Sequence, residues 1–427
     1  MLMHVQIPYG SVARTITVPE QATILHSHSI PPLKDERETF FKSLQNPIAS
    51  VPLVNRLSAN DRVAIVISDI TRPTPNERIV PWLLEALSFI PRSQIVILNG
   101  TGSHRANTRD ELIQMLGREI VDSVEIVNHN AFAPEELVLL GDSASGVPVW
   151  VNRRYLDADF RIVTGFIEPH FFAGFSGGPK GIIPGLAGIQ TIQALHSAPL
   201  IGDQHSTWAL LEGNPIHQGI QDAVRLCPPE FMVNVTLDQE RHITGVFSGD
   251  YIRAHYIGCA EVARTATQAV PRPFDIVITS NNGYPLDQNL YQSVKGMTAA
   301  AQIVRQGGAI IAVAECRDGL PEHGNFKALL QMREDPASLL DMINQPGFQM
   351  HDQWQAQKQA LVQIQADVYL HSSLSDDVVR AAQLLPAPDL QATLDQLIQR
   401  YGPDPSIAIL PEGPVMVPYV AAPAATV

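Results

Sequence analysis

Cysteine is scarce in this chain of 427 residues: Cys227, Cys259 and Cys316 lie far apart, are odd in number and form no CxxC pair. That excludes a disulfide framework and a cysteine zinc site, and points to reduced thiols in a cytoplasmic protein. Basic residues are also short, 29 Lys and Arg against 43 Asp and Glu, for a net charge of −14. Nucleic acid and anionic membranes both need a basic footprint, so neither is an expected partner. A small anionic substrate held by a local Arg/Lys cluster remains compatible with this balance. No apolar run approaches the roughly 18 residues of a spanning helix. The opening Met1-Leu-Met-His lacks a basic n-region and an apolar h-region, so no signal peptide is expected. No internal repeat of fixed period is present.

What is there reads as a globular α/β protein. Apolar residues make up 45% and charged residues 17%, and the length allows two or three domains of roughly 150 residues. Short β-branched runs at 62–68, 94–98, 124–127 and 160–164 are expected strands. Between the first two, Ile79, Trp82, Leu83 and Ala86 recur at i, i+3, i+4 and i+7, one face of a helix over 76–89. After Pro271-Arg-Pro273, an expected linker, strands at 275–279, 308–314 and 406–410 alternate with helical patterns at 290–305, 352–366, 376–384 and 390–401. The expectation is two domains, each with a largely parallel sheet flanked by helices and with the active site in the interdomain cleft. Residues 1–270 form the N-terminal α/β domain and 274–403 the C-terminal one. The tail at about 404–420 packs back on the first, and the Pro/Ala-rich end from Pro418 is expected to be loose.

Glycine concentrates in one place. Residues 168–188 hold Gly174, Gly177, Gly178, Gly181, Gly185 and Gly188 together with His170 and Lys180, without helical or strand period, and His196 follows. Such a run lets backbone approach something closely, and reads as a cradle for a bound group. It follows an expected strand, as do Ser68-Asp-Ile-Thr-Arg-Pro73 and Asn99-Gly-Thr-Gly-Ser-His-Arg105. Loops at the carboxyl ends of parallel strands converge on a ligand. Neither nucleotide fingerprint survives: Asn99-Gly-Thr-Gly has too few glycines for GxGxxG, and Lys180 follows Pro179 and precedes Gly181 where a Walker motif needs Ser or Thr.

Taken singly, each residue has a plainer use. His104 can bond loop backbone, Lys180 can be a solvated or phosphate-binding lysine, and His196 can cap the helix before it. Arg72 and Asp69 can pair across a turn, Lys295 can face solvent, and Glu168 is a candidate partner for a histidine. Trp82 and Trp208 read as core. His205, His217, His255, His323 and His351 read as structural.

Taken together, Ser68-Asp-Ile-Thr-Arg-Pro73, Gly100-Thr-Gly-Ser-His-Arg105, Glu168-Pro-His170, Gly177-Gly-Pro-Lys-Gly181, Leu195-His196, Gly283-Tyr-Pro285, Tyr291-Gln292 and Lys295 resemble one family in motif order. It is the nickel-pincer-nucleotide-dependent lactate racemase family, LarA-like 2-hydroxyacid racemases and epimerases. The resemblance runs over nearly the whole chain. It implies a nickel pincer nucleotide (pyridinium-3-thioamide-5-thiocarboxylic acid mononucleotide with Ni) joined covalently to Lys180, with His196 as the protein ligand to nickel. It implies His104 and His170 as paired acid/base groups. Cofactor contacts are implied for Asp69, Thr71, Gly177, Gly178 and Lys295, and substrate contacts for Arg72, Tyr291, Gln292, Lys295 and Trp354. Cofactor-biosynthesis proteins of the LarB, LarC and LarE type are the implied partners. The implied reaction is racemisation of a 2-hydroxyacid by reversible hydride transfer from C2 through a bound 2-oxoacid.

These residue types suit that chemistry. Removing an α-proton would place a carbanion beside a carboxylate, whereas loss of hydride with loss of the hydroxyl proton leaves a neutral ketone. One base per face is then needed, and imidazole exchanges protons near neutrality. An arginine can grip the carboxylate bidentately while the face changes. A sulfur–carbon–nitrogen donor set suits planar nickel. Two rivals are a nicotinamide-dependent 2-hydroxyacid oxidoreductase, disfavoured by the missing dinucleotide fingerprint, and a non-catalytic hydroxyacid-binding homologue.

Overall fold

Val63–Ser68 reads V-A-I-V-I-S, and its first five side chains are buried. A strand apolar on both faces belongs inside a parallel sheet covered by helices. In the computed structural model, which describes residues 1–28, 30–321 and 324–421, it lies near the centre of a six-stranded sheet. The spatial order is Ile243–Gly249, Phe231–Leu237, Phe160–Phe166, Val63–Ser68, Ile95–Gly100, Glu125–Asn128. All neighbours are parallel except the edge strand Ile243–Gly249. The expected helix is present at Asn76–Ala86. Ile79 and Leu83 are fully buried, and Trp82 meets Phe40 at 5.4 Å between ring centroids.

This sheet belongs to a compact unit made of Ser29–His196 and Leu210–Arg264. Val63–Ser68 sends its chain on to Ile95–Gly100 on one side, while Phe160–Phe166, its other neighbour, leads to Phe231–Leu237 on the opposite side. Connections that part in this way open a crevice at the carboxyl ends of the two strands.

The other unit contains Met1–His28, Ser197–Ala209 and Thr265–Val427. Its sheet is parallel throughout, in the order Leu385–Pro386, Ala366–His371, Val304–Val313, Phe274–Ser280, Ile407–Leu410, Thr23–Ile24. Division into 1–270 and 274–403 places the first 28 residues, 197–209 and the tail with the N-terminal part; these compact units are drawn otherwise. Val5, Ile7 and Tyr9 of the first strand share a core with Ile276 and Ile278. The side chain of Gln357 donates to the Ala198 carbonyl at 2.8 Å. Strand pairing joins the tail to the second sheet. The end from Pro418 is not loose as far as Val420, because Val417–Val420 pairs in parallel with Thr267–Val270. His323 lies outside the described residues.

All three cysteines are free and buried. Burial pushes the Cys227 and Cys316 thiols up to about 12, so they behave as small apolar groups. Among the described residues no helix is long and apolar enough to cross a membrane.

Candidate active site

The crevice is bridged by residues of the loops that leave its two strands. Arg72 Nη1 donates to Glu168 Oε1 at 3.2 Å, with both side chains about one-third exposed. Arg72 therefore pairs with Glu168 rather than with Asp69, whose backbone carbonyl receives the Arg72 N–H at 3.1 Å. One guanidinium nitrogen is engaged in this pair, leaving Nε and Nη2 as further donors.

Asp69 has a different task. Its side chain is 4% exposed, and Oδ2 lies 2.7 Å from His104 Nδ1. Oδ1 accepts from the Thr71 hydroxyl at 2.6 Å and the Thr71 N–H at 3.3 Å. Burial pushes the carboxyl upward. The hydrogen bond and charge of His104, the Thr71 hydroxyl and the Arg72 charge outweigh that, and Asp69 is held below its ordinary range. The histidine partner is thus Asp69, not Glu168.

A net of asparagines fixes the two loops. Asn107 Oδ1 accepts from Ile70 N and from Asn99 Nδ2, which also donates to Asn128 Oδ1; Asn128 Nδ2 returns to the Asn107 carbonyl. Gly102 N donates to the Gly185 carbonyl at 2.9 Å, and His129 Nε2 to the Ala187 carbonyl at 2.9 Å. The first bond ties the His104 loop to the glycine-rich loop, and the second ties the loop after Glu125–Asn128 to it.

His170 is 6% exposed, at the end of a two-residue strand paired with Gly174–Phe175. Its Nδ1 accepts the Ala173 N–H at 3.3 Å and the Phe172 N–H at 3.5 Å. Phe172 then lies edge-on to His196, with centroids 5.1 Å apart. His196 does cap its helix, Ile189–Leu195. Its Nδ1 donates to the Ile192 carbonyl at 2.7 Å, which leaves the lone pair on Nε2. That tautomer is the one a metal ligand needs.

Lys180 sits on a tight helical turn, Gly178–Gly181, and is partly buried. Asn234 Oδ1 accepts the Gly178 N–H at 2.6 Å, and His255 Nε2 donates to the Ser176 carbonyl at 2.9 Å. The space left by these glycines is taken up by the protein itself. A Cβ on Gly177 would stand 2.6 Å from Asn234 Oδ1, one on Gly178 2.5 Å from His255 Cγ, and one on Gly185 2.1 Å from the Gly181 carbonyl oxygen. So the glycines let the loop pack tightly around the turn that carries Lys180.

The remaining expected residues lie in the other unit. Tyr291, Gln292 and Lys295 are on the helix Leu290–Ala301, capped by Asn289 through the Gln292 N–H. Trp354 Nε1 donates to the Tyr291 hydroxyl at 3.3 Å, and Gln355 Nε2 to the Tyr291 carbonyl. Tyr291 and Trp354 are thus neighbours.

Asn99, Asn234 and His255 were not among the expected site residues. A signal existed for the asparagines, since each interrupts an otherwise apolar strand, I-L-N-G and F-M-V-N-V-T-L, where a buried amide needs a specific partner.

A family profile described as the lactate racemase N-terminal domain matches residues 9–209, and one described as the lactate racemase C-terminal domain matches 270–417. The chain is 39% identical over 383 residues to a lactate racemase of Lactiplantibacillus plantarum, covering 88% of this chain and 90% of that protein. It is 35% identical over 420 residues to a lactate racemase of Thermoanaerobacterium thermosaccharolyticum, covering 96% and 98%. The solved lactate racemase apoprotein from the latter organism superposes with a TM-score of 0.91 at 34% identity, covering 97% of this chain and all of that one. Two domain profiles in order and similarity over nearly the full length make one conclusion plain: the chain belongs to the lactate racemase family, and is an isomerase.

Proposed function

We propose that this protein interconverts the enantiomers of lactate or a closely similar short 2-hydroxyacid, using a nickel pincer nucleotide attached to Lys180. The observation that carries the proposal is the gathering of Arg72 with Glu168 and of His104 with Asp69 on neighbouring strand ends, in a chain whose relatives are named lactate racemases.

The residues fit such a group. His196 is in a tautomer that suits a metal ligand, with Nδ1–H on the Ile192 carbonyl and the lone pair on Nε2. Among the described residues, no three His, Cys, Asp or Glu side chains gather as a metal cage; the other ligands of a nickel on His196 would come from the pincer nucleotide, as the resemblance implies. When bound, that group would supply an acceptor for hydride from C2 and soft donors for the nickel.

The chain's own residues do the rest. Arg72 offers Nε and Nη2 to the substrate carboxylate, with Glu168 steadying Nη1, so that a 2-oxoacid stays bound while its face changes. His104, oriented by Asp69, takes or returns the hydroxyl proton, and His170 serves the same oxygen on the opposite face. Thr71 and Asp69 build the loop beside the cofactor. Gly177 and Gly178 set the aim of Lys180. Substrate contacts from Tyr291, Gln292, Lys295 and Trp354 rest on the resemblance, and the Tyr291–Trp354 bond supports their acting as one wall. The cofactor is expected from LarB-, LarC- and LarE-type proteins, and the site of action is expected to be the cytoplasm.

The test is expression with the cofactor-making proteins, intact-mass and metal analysis, and chiral separation of lactate. An adduct on Lys180, nickel, and racemisation are expected together. Active enzyme with an unmodified Lys180 would end the proposal.

A further inference from the structure

His104 and His170 are held by opposite kinds of partner. The group facing His104 Nδ1 is the Asp69 carboxylate at 2.7 Å, whose other oxygen accepts from Thr71. A carboxylate only accepts, so Nδ1 of His104 carries the hydrogen and, in the neutral ring, Nε2 carries the lone pair. The groups facing His170 Nδ1 are the N–H bonds of Ala173 and Phe172 at 3.3 and 3.5 Å. Backbone N–H only donates, so Nδ1 of His170 carries the lone pair and Nε2 carries the hydrogen. We propose that the two site histidines rest in opposite neutral tautomers, His104 as a proton acceptor and His170 as a hydrogen-bond donor, with Asp69 and the Phe172–Ala173 turn as the positioning elements.

The inference rests on the proposal that these two rings serve the C2 oxygen, and makes them unequal partners. The enantiomer whose hydroxyl reaches His104 meets a lone pair, and its proton passes to Nε2 with the ring charge stabilised by Asp69. The enantiomer whose hydroxyl reaches His170 meets an N–H. Its proton can leave only after the hydrogen of His170 moves from Nε2 to Nδ1, at the expense of the Ala173 and Phe172 contacts. A neutral imidazole whose Nδ1 faces backbone donors is suited instead to polarising a carbonyl, a role known for histidine elsewhere. Because enantiomers have equal free energies, kcat/KM is the same in both directions, and the inequality appears as matched differences in kcat and KM.

Asp69→Asn has a defined outcome. Thr71 donates to Oδ1 from both its hydroxyl and its N–H, so the amide oxygen of the variant stays on that side. Its NH2 then faces His104 Nδ1, and the ring is forced into the other tautomer, the mismatch that inactivates a Ser-His-Asp triad when its aspartate becomes asparagine.

The experiment is long-range 1H–15N correlation of histidine-labelled protein without cofactor, at about pH 8 where imidazole is ordinarily neutral. Signals are assigned by their loss in His104→Gln and His170→Gln. The proposal expects protonated Nδ1 and bare Nε2 for His104, the reverse for His170, and a reversal of His104 alone in Asp69→Asn. Both rings in one tautomer, Nδ1 of His170 protonated, or His104 unchanged in Asp69→Asn would overturn it. The spectrum is independent of turnover, so the inference stands or falls with these signals whatever becomes of the racemase assignment.

Discussion

Gly178→Ala tests the claim that the cradle is shaped by protein packing rather than by open space. Gly178 has φ +53, and an added Cβ would stand 2.5, 2.6 and 2.9 Å from Cγ, Cδ2 and Nδ1 of His255. The His255 ring cannot retreat, because it is 1% exposed and its Nε2 is bonded to the Ser176 carbonyl. Overpacking of this kind costs about 1–3 kcal/mol, and a left-handed backbone with a Cβ adds about 1–2 kcal/mol. Together they predict a loss of about 2–5 kcal/mol in the urea denaturation of cofactor-free protein. The fraction of Lys180 carrying an adduct after co-expression should fall in parallel, since Lys180 is two residues away on the same turn. Combining Gly178→Ala with His255→Ala separates the two terms: the double variant should lose at least about 1 kcal/mol less than the sum of the single ones. A Gly178→Ala protein within about 0.5 kcal/mol of the parent, or strict additivity with His255→Ala, would refute the reasoning.

His104→Ala and His170→Ala should each abolish racemisation of lactate while leaving the Lys180 adduct in the mass spectrum; full activity in either variant counts against its role in proton transfer. His196→Ala should lower bound nickel per adduct without lowering the adduct itself, read by metal analysis of the same samples. Acid should destabilise the unit that carries the cradle. His129, His217 and His255 are each pushed down to about 4, in every case mainly by burial. The unfolded chain therefore binds protons between pH about 6.5 and 4 that the folded one refuses, and stability, full above that window, drops by up to about 1.4 kcal/mol per pH unit for each ring as pH falls through it. A urea midpoint that stays flat through this window, down to about pH 4, would show that these rings are not buried neutral in solution.

Much of the scaffold was legible because buried parallel strands and amphipathic helices write their periods into the chain. Val63–Ser68, Ile95–Gly100, Glu125–Asn128, Phe160–Phe166, Phe274–Ser280 and Ile407–Leu410 all fall on apolar runs, and the helices Asn76–Ala86 and Leu390–Tyr401 on their 3.6-residue patterns. The hairpin of Leu2–Tyr9 with Val12–Pro19 was not expected, and neither was the strand Val417–Val420. The tail strand is short and proline-containing, and it exists because Thr267–Val270 offers a parallel edge that no local pattern announces. The loops were located correctly by the strands that precede them, but their internal partners were not. Glu168 took Arg72 instead of a histidine, and Asp69 took His104.

By itself the sequence determined the family, the order of the motifs and the residue types brought to the strand ends, because motif order and hydrophobic period are properties of the linear chain. Tertiary structure alone decided what fills the glycine-rich loop, which nitrogen of His104 holds its proton, and which carboxylate meets which cation. Those outcomes depend on gaps of 2.5–3.2 Å between groups far apart in the chain, Asp69 with His104, Arg72 with Glu168 and Gly178 with His255, and only the packed sheet sets distances on that scale.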